Sequence, residues 1–252
     1  MKTVSGAYLT ASHLNTRYIS MRGVFTSSLG ETTQITMDDI VAGSVSITDS
    51  CVPNSVFDIG AANLSTLSIS LGKSVEKLWS NLSNGMIEIF FSMKLESELY
   101  EEFSLGVFDI LPADVKVTSK QVNITGTSRM IRFEKSLGST TFSGKPYDIL
   151  LYCCDKCNVI LGNTQAEIEA CKNGLLSFAL LEGSNCETYR DVVMWISHLL
   201  CGFATINSEG KLVIKRFVGE SVYTINKSVF KSSSFGDGVV DIANAQMTID
   251  VS

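Results

Sequence analysis

The stretch TLSISL at residues 66–71 decides how the chain is expected to fold. Polar and apolar residues alternate strictly in it, which is the period of a β-strand. The same alternation occurs in SVSIT (44–48) and VKVT (115–118), and MIEIFFSM (86–93) is a more continuous apolar run. Short runs of this kind, separated by Gly, Asn, Asp and Pro, are typical of antiparallel sheets and barrels. We therefore predict that the first half of the chain consists of antiparallel strands.

The second half of the chain begins with a helical pattern. After Pro146, apolar residues recur three and four positions apart as far as Asn158. This spacing predicts a helix of about three turns. A strand is expected to start directly after it, at residues 159–161.

A second and clearer helix is predicted over residues 188–200. From Tyr189 onwards its apolar residues form a single stripe with helical spacing. Thr188 and Asp191 resemble a capping box, with Asp in place of the preferred Glu. Gly202 is well placed to end the helix in a left-handed conformation.

The sequence after this helix predicts a hairpin and further strands. Two apolar runs flank the polar turn NSEG (207–210), so a hairpin is expected over residues 203–217. More strands are expected at 222–225 and 245–251. The order of strands, helices, hairpin and strands predicts two β-rich units, with a small α/β piece between them or inserted into them.

Composition excludes several classes of protein. The chain has 252 residues, 20 basic and 26 acidic, and a net charge of −6. That sign gives no overall attraction to phosphate backbones, so nucleic-acid binding is disfavoured.

No apolar run approaches the roughly 20 residues needed to span a bilayer. The start of the chain lacks the apolar segment of a signal peptide, so folding in a cytoplasm is expected. The low charged fraction of 18% fits an assembly subunit, because interface cores are depleted in charge.

The chain has seven cysteines, an odd number that does not indicate a disulfide framework. Three of them cluster as Cys153, Cys154 and Cys157, which includes a C-x-x-C pair of the kind used in zinc or redox sites. A zinc site would need further ligands, and His13 and His198 are the only histidines. The helical pattern places Cys153 and Cys157 on one face. We interpret the cluster as buried structural thiols.

Motifs for catalysis are missing from the sequence, and no catalytic, cofactor-binding or metal-binding residue is assigned. His198 is expected at the flank of the second helix, and His13 lies in a weakly patterned leader. The acidic stretch LESELYEE (95–102) is interpreted as a solvated loop or turn. Residues 189–191 (YRD) are interpreted as a helix entry with local ion pairing, or alternatively as an interface contact.

A resemblance to a known family emerges when ten short stretches are read in order. They are DIVAGSVSI (39–47), Cys51, FDIGAA (57–62), LSISL (67–71), LGVF (105–108), VNIT (122–125), DILLYCCDKC (148–157), TYRD (188–191), GFA (202–204) and GKL (210–212). From about residue 35 to 220, the chain resembles the tail hub proteins of phages and prophages of Gram-positive, clostridial-type bacteria. Many members are longer and carry C-terminal extensions, so the enzymatic activity of longer members is not carried over.

This resemblance implies a mainly β fold with two barrel-like domains and a small helix-containing α/β insertion. The corresponding boundaries are 1–143 for the first barrel-type domain, 144–206 for the insertion and 207–252 for strands of the second. The family implies a homotrimer in the tail or baseplate of a virion or tailocin. It would join the sixfold tail tube and the distal tail or baseplate proteins to a threefold spike or tip, after assembly in the host cytoplasm. Neither a cofactor nor a sequence-specific nucleic acid is implied.

Three alternatives remain open at this point. One is another tail or baseplate ring protein, a hexamer of the distal tail type. The second is a thiol-dependent or zinc-dependent enzyme that uses Cys153, Cys154 and Cys157. The third is a carbohydrate-binding β-domain with Trp79 as a stacking aromatic, although a lone Trp is more often packed in a core or interface.

Overall fold

The computed structural model describes residues 4–14, 16–49, 59–72, 82, 84–118, 121–138, 141–180 and 186–216. The chain divides into a unit of residues Met1–Lys215 and a unit of residues Arg216–Ser252. The predicted strands at 222–225 and 245–251, as well as Cys51 and Trp79, lie outside the described residues. The boundaries expected at 143 and 206 stay predictions.

An antiparallel sheet of eight strands dominates the described part of the chain. Its strand order is β2-β1-β5-β6-β8-β4-β3, and β7 also pairs with β8. The expected mainly β character, with a few helices, is confirmed. The strands are β1 (Ile19–Thr26), β2 (Thr32–Ile35), β3 (Ser46–Thr48), β4 (Thr66–Gly72), β5 (Met86–Lys94), β6 (Tyr100–Asp109), β7 (Val115–Val117) and β8 (Gln121–Ser128).

The sheet consists of two halves that fold over one core. One half is β2-β1-β5-β6 and the other contains β8, β4, β3 and β7, and β6 joins β8 through only two residue pairs. Apolar side chains of both halves belong to one buried cluster because the strand alternation turns them to the same side. This cluster contains Phe25, Ile87 and Ile89 from the first half and Leu67, Ile69, Leu71 and Ile124 from the second.

The two outer edges of the sheet approach each other along the chain. Strand β2 ends at Ile35, and a single 3-10 turn (Met37–Asp39) follows it. Ile40 then already pairs with Leu71 of β4, and the amide of Val41 donates to the carbonyl of Ser70 at 2.9 Å. The chain therefore crosses from one edge of the sheet to the other within a few residues.

The helical elements after β8 belong to a second buried cluster that continues from the end of that strand. The 3-10 helix Arg129–Glu134 leaves the sheet and buries Met130 and Phe133 in this cluster. The other elements are β9 (Phe142–Gly144), α2 (Pro146–Cys157), α3 (Gln165–Glu169), β10 (Phe178–Leu180), α4 (Tyr189–Leu199), β11 (Gly202–Ile206) and β12 (Leu212–Arg216).

Helix α2 follows the sequence pattern closely. Pro146 occupies its first turn, where the missing amide costs no hydrogen bond. Ile149, Leu150 and Cys153 are buried on its inner face. Asn158 ends the helix in a left-handed conformation with φ 52°, as expected for a C-terminal Asn.

Helix α4 confirms the predicted start and corrects the predicted end. Thr188 and Asp191 form the capping box, with the Thr188 hydroxyl accepting from the Asp191 amide at 3.2 Å. The left-handed residue after the helix is Cys201, with φ 53°, and not Gly202. Gly202 instead starts β11, because its carbonyl is needed to accept from the amide of Gly60 at 2.7 Å.

Strands β11 and β12 form the predicted hairpin, and short segments extend it on both sides. Ala62 pairs with Ala204 in parallel, and Leu161 pairs with Leu212 in parallel. Beyond Leu161, the side chain of Asn163 hydrogen-bonds to the backbone of β12 in place of a strand. Its Oδ1 accepts from the Ile214 amide at 2.6 Å and its Nδ2 donates to the Ile214 carbonyl at 3.4 Å.

One ion pair connects the sheet to the helical part. Arg132 donates from Nε and Nη2 to the two carboxylate oxygens of Asp109, at 2.6 and 2.7 Å. Its Nη1 also donates to the carbonyl of Asn158 at 2.9 Å. A bidentate pair on a nearly buried Asp109 fixes the end of β6 against the start of the second cluster.

The acidic stretch at 95–102 is only partly a loop. A turn spans 95–99, where the amide of Leu95 donates to the carbonyl of Leu99 at 2.7 Å. Glu101 and Glu102 instead belong to β6, which corrects the prediction. They are accommodated there because Glu101 accepts from Ser5 and Glu102 pairs with Arg22 of β1.

The start of the chain contains a helix that the sequence did not predict. Helix α1 (Gly6–Ser12) is capped by the Ser5 hydroxyl, which accepts from the Tyr8 amide at 3.0 Å. Tyr8 contacts the ring of Phe103 at 5.5 Å, so the helix lies on the sheet. His13 is its C-cap residue.

Candidate functional site

The cysteine cluster is a packing feature of the second core. Cys153, Cys154 and Cys157 are at most 5% exposed, which confirms the prediction of buried thiols. Burial raises the pKa of Cys154 to about 12 and that of Cys157 to about 11. Burial also raises the pKa of Cys153, which lies next to Cys154 and Cys157. Thiols that stay protonated at neutral pH are poor nucleophiles and poor metal ligands.

Neither histidine lies in a catalytic arrangement. His198 is exposed on α4, and its Nδ1 lies 3.1 Å from the carbonyl oxygen of Ile59. This position at the helix flank agrees with the sequence interpretation. Within the described ranges, no group of three or more His, Cys, Asp or Glu side chains is placed to hold a metal ion. No helix in those ranges is both long and apolar enough to cross a bilayer.

The YRD stretch at 189–191 holds α4 in place. Tyr189 is buried, and the carboxylate of Asp191 accepts from the Thr188 amide at 2.8 Å. Arg190 pairs with Glu134, not with Asp191. Its Nη2 also donates to the Ala62 carbonyl at 2.6 Å. These contacts confirm the interpretation as a helix entry. The predicted local ion pairing is wrong, because Asp191 caps the helix and Arg190 pairs with Glu134, which is 56 positions away in sequence.

The main candidate site is a cleft of about 480 Å³ between the sheet and the hairpin. One wall is strand β6 at residues 105–107, where a β-bulge inserts Leu105 between the pairs Phe90–Ser104 and Ile89–Gly106. The opposite wall is the outer face of the hairpin. The cleft is lined there by Thr205, Asn207, Ser208, Val213 and Lys215.

The strand ends at the back of the cleft carry hydroxyl groups. Ser65 and Ser128 are nearly buried, and the Ser65 hydroxyl donates to a carboxylate oxygen of Asp49 at 2.7 Å. Ser104 on β6 donates to the Ser208 carbonyl at 3.0 Å and so links the two walls. The charged groups of the lining are the exposed side chains of Asp49 and Lys215.

This arrangement is suited to binding and not to acid–base chemistry. The residues that line the cleft include no histidine or cysteine, and its carboxylate already accepts from a serine. Apolar side chains, hydroxyl groups and one charge of each sign instead offer a mixed surface for a ligand. The sequence did not reveal this site, because its walls are nearly 100 residues apart along the chain. The β-bulge at Leu105 is the local feature that marks this site. In the sequence, only the neighbouring Gly106 indicates such a bulge.

An apolar groove of about 280 Å³ lies beside α4. It is lined by Phe142, Phe178 and Leu180 of the small β9–β10 sheet and by Trp195 and Leu199 of α4. Trp195 is 58% exposed. An exposed tryptophan beside an apolar groove is typical of surfaces that contact other proteins.

Comparison with solved structures reveals a structural likeness. No protein-family model and no curated protein matches the sequence. Among solved structures, the chain is similar to the crystal structure of a 43 kDa tail protein of prophage MuSo2 from Shewanella oneidensis, with a TM-score of 0.47 and 10% sequence identity. The match covers 82% of this chain and 59% of the prophage protein, so the chain spans less than two thirds of that protein's length.

Proposed function

We propose that the chain is a structural subunit of a phage or phage-derived tail, namely the hub that joins the sixfold tube to the threefold spike or tip. The observation that carries the proposal is the ordered set of sequence stretches between residues 39 and 212 that resembles the tail hub proteins. Catalysis is not part of the proposed role. Its partners would be two further copies of the chain, the tube and distal tail proteins, and the spike.

The curvature of the sheet supports the first barrel-like domain of the proposal. The residues between Ile35 and Ile40 connect the two edges of the sheet, and both halves enclose one core. A sheet that curls until its edges approach each other has the geometry of a partly open barrel. In the proposal, residues 207–252 supply strands of a second domain of this type.

Two related domains in each of three copies would give six similar surfaces. A threefold assembly could then match a sixfold ring, which is the task of a hub. The exposed apolar groove at Trp195 supports a role in assembly. The net charge of −6 would also keep a central channel from retaining DNA, provided that acidic residues line it.

The mass of the purified protein in solution tests the proposal. Light scattering or native mass spectrometry over a range of concentrations should give three times the chain mass of 27.4 kDa. A hexamer would favour a ring protein of the distal tail type. A monomer at every concentration would contradict the homotrimer.

A further inference from the structure

Strand β6 has a long edge without a strand partner among the described residues. On the side away from β5, β6 pairs with β8 only at Phe108 and Asp109. Further along, the chain leaves β8 as the 3-10 helix Arg129–Glu134 and turns away from the sheet. The edge at residues 105–107 therefore opens into the cleft.

The backbone of Val107 faces this opening. The amide of Ser128 donates at 2.8 Å to the carbonyl of Ser65, the residue before β4, so Ser128 directs its backbone groups away from β6. By alternation, Thr127 directs its groups towards Asp109 of β6. Val107 lies two residues before Asp109. Its amide and carbonyl therefore point to the same side of β6 as those of Asp109, away from β5. Backbone groups at this position need a hydrogen-bonding partner.

Strand β2 forms the opposite edge of the same half-sheet. The amide of Ser27 donates to the carbonyl of Glu31 at 2.8 Å, which makes this the hydrogen-bonded pair that closes the β1–β2 hairpin. The next pair, Thr26 and Thr32, is then a non-hydrogen-bonded pair. Thr32 and, two residues later, Gln34 therefore point their backbone amides and carbonyls away from β1.

We propose that β2 of a second copy of this chain adds to the β6 edge inside the cleft. The proposal rests on the proposed assembly and specifies its subunit contact. An extended backbone in the cleft would pair with the outward amide and carbonyl of Val107, as in β-strand addition. Hydroxyl groups of Thr32 and Thr33 would meet a lining that is itself rich in hydroxyl and amide groups.

Strand direction favours β2 as the added strand. Along β2-β1-β5-β6 every neighbouring pair is antiparallel, so β2 and β6 run in opposite directions. A second copy in the same orientation would place its β2 antiparallel beside β6 and continue the sheet. Because the two edges differ, the contact is head-to-tail, and such contacts close into rings when the rotation between copies permits.

Three substitutions and one matched control test the contact by native mass spectrometry of the full chain. Thr32→Pro removes an outward amide and leaves the β1–β2 ladder intact, whereas Thr32→Ala keeps the amide. Val213→Trp fills the cleft from the hairpin. Leu151→Trp places the same bulk on an exposed position of α2, away from the cleft. Circular dichroism and thermal unfolding verify that each variant is folded.

We expect the unsubstituted chain, Thr32→Ala and Leu151→Trp to form the same oligomer, and folded Thr32→Pro and Val213→Trp to dissociate at least tenfold more readily. An oligomer that both of these variants retain would overturn the inference and leave the proposed hub intact. A hexamer that both variants disrupt would support this contact and contradict the hub. A monomeric unsubstituted chain would overturn both.

Discussion

Gly60 shows at the scale of one residue how the segment that leads into β4 contacts helix α4. Its φ of +94° lies in the left-handed region, and a Cβ at this position would lie 2.7 Å from the Cβ of His198. The carbonyl of Met194 would be 3.0 Å away. Only glycine satisfies both the conformation and the space.

We expect Gly60→Ala to lower the free energy of unfolding by roughly 3 kcal/mol, from backbone strain and overpacking together. Gly43→Ala is the matched control, because Gly43 has φ +71° with nothing within 4 Å of its Cβ position. The control should lose only the conformational part, about 1 kcal/mol. Urea unfolding measures both losses. Equal losses of unfolding free energy in the two variants would show that α4 leaves room for a Cβ at residue 60.

At the scale of single residues, the sequence predicted burial correctly where burial depends only on neighbours along the same helix. The burial of Cys153 and Cys157 followed from helical spacing alone. The partners of Arg190 could not be predicted, since Glu134 and Ala62 are 56 and 128 positions away in sequence. The cleft was missed for the same reason, because no local pattern brings Val107 close to Val213.

At the scale of elements, regular periodicity identified the long strands β4 and β5, the helices α2 and α4, and the β11–β12 hairpin. It did not identify the long strands β1, β6 and β8. It failed for α1, whose seven residues show no apolar stripe, and for the three-residue strands β9 and β10. Such short elements exist only through tertiary contacts, such as Tyr8 against Phe103. The end of α4 was misplaced by one residue, because Gly202 is required as the first residue of β11.

The chain leaves helix α4 through a strained residue that follows the C-cap Leu200. Cys201 is exposed and holds a left-handed φ of 53° that suits glycine better. Cys201→Gly should raise the free energy of unfolding by about 1 kcal/mol by relieving this strain. Cys201→Ala keeps the strain and should leave stability close to that of the original chain. Thermal unfolding compares the two variants, and a Gly variant no more stable than the Ala variant would contradict the explanation.

At the scale of the described part as a whole, an ion pair connects the two cores. The Asp109–Arg132 pair links the end of β6 to the helical part, and Arg132 also binds the carbonyl of Asn158. Sequence patterns predicted both β-rich and helical regions, but not this link, because charge pairing between distant segments leaves no periodic signal.

A double-mutant cycle measures this connection. Asp109→Ala and Arg132→Ala should each cost about 2 kcal/mol, since each leaves a partly buried charge without its partner. The double variant should cost less than the sum, with a coupling of roughly 1–2 kcal/mol. Additive losses in urea unfolding would show that the pair contributes no coupling between the cores.

The amide of Asn163 has a consequence for how the protein avoids fibrils. A hairpin edge such as β12 is a template onto which identical chains can stack without limit, and this is how amyloid grows. The side-chain amide group of Asn163 already hydrogen-bonds to both the backbone N–H and the carbonyl of Ile214. An incoming strand therefore has no free backbone groups to pair with at Ile214. Open-ended stacking of identical chains from this edge is thus blocked at Ile214.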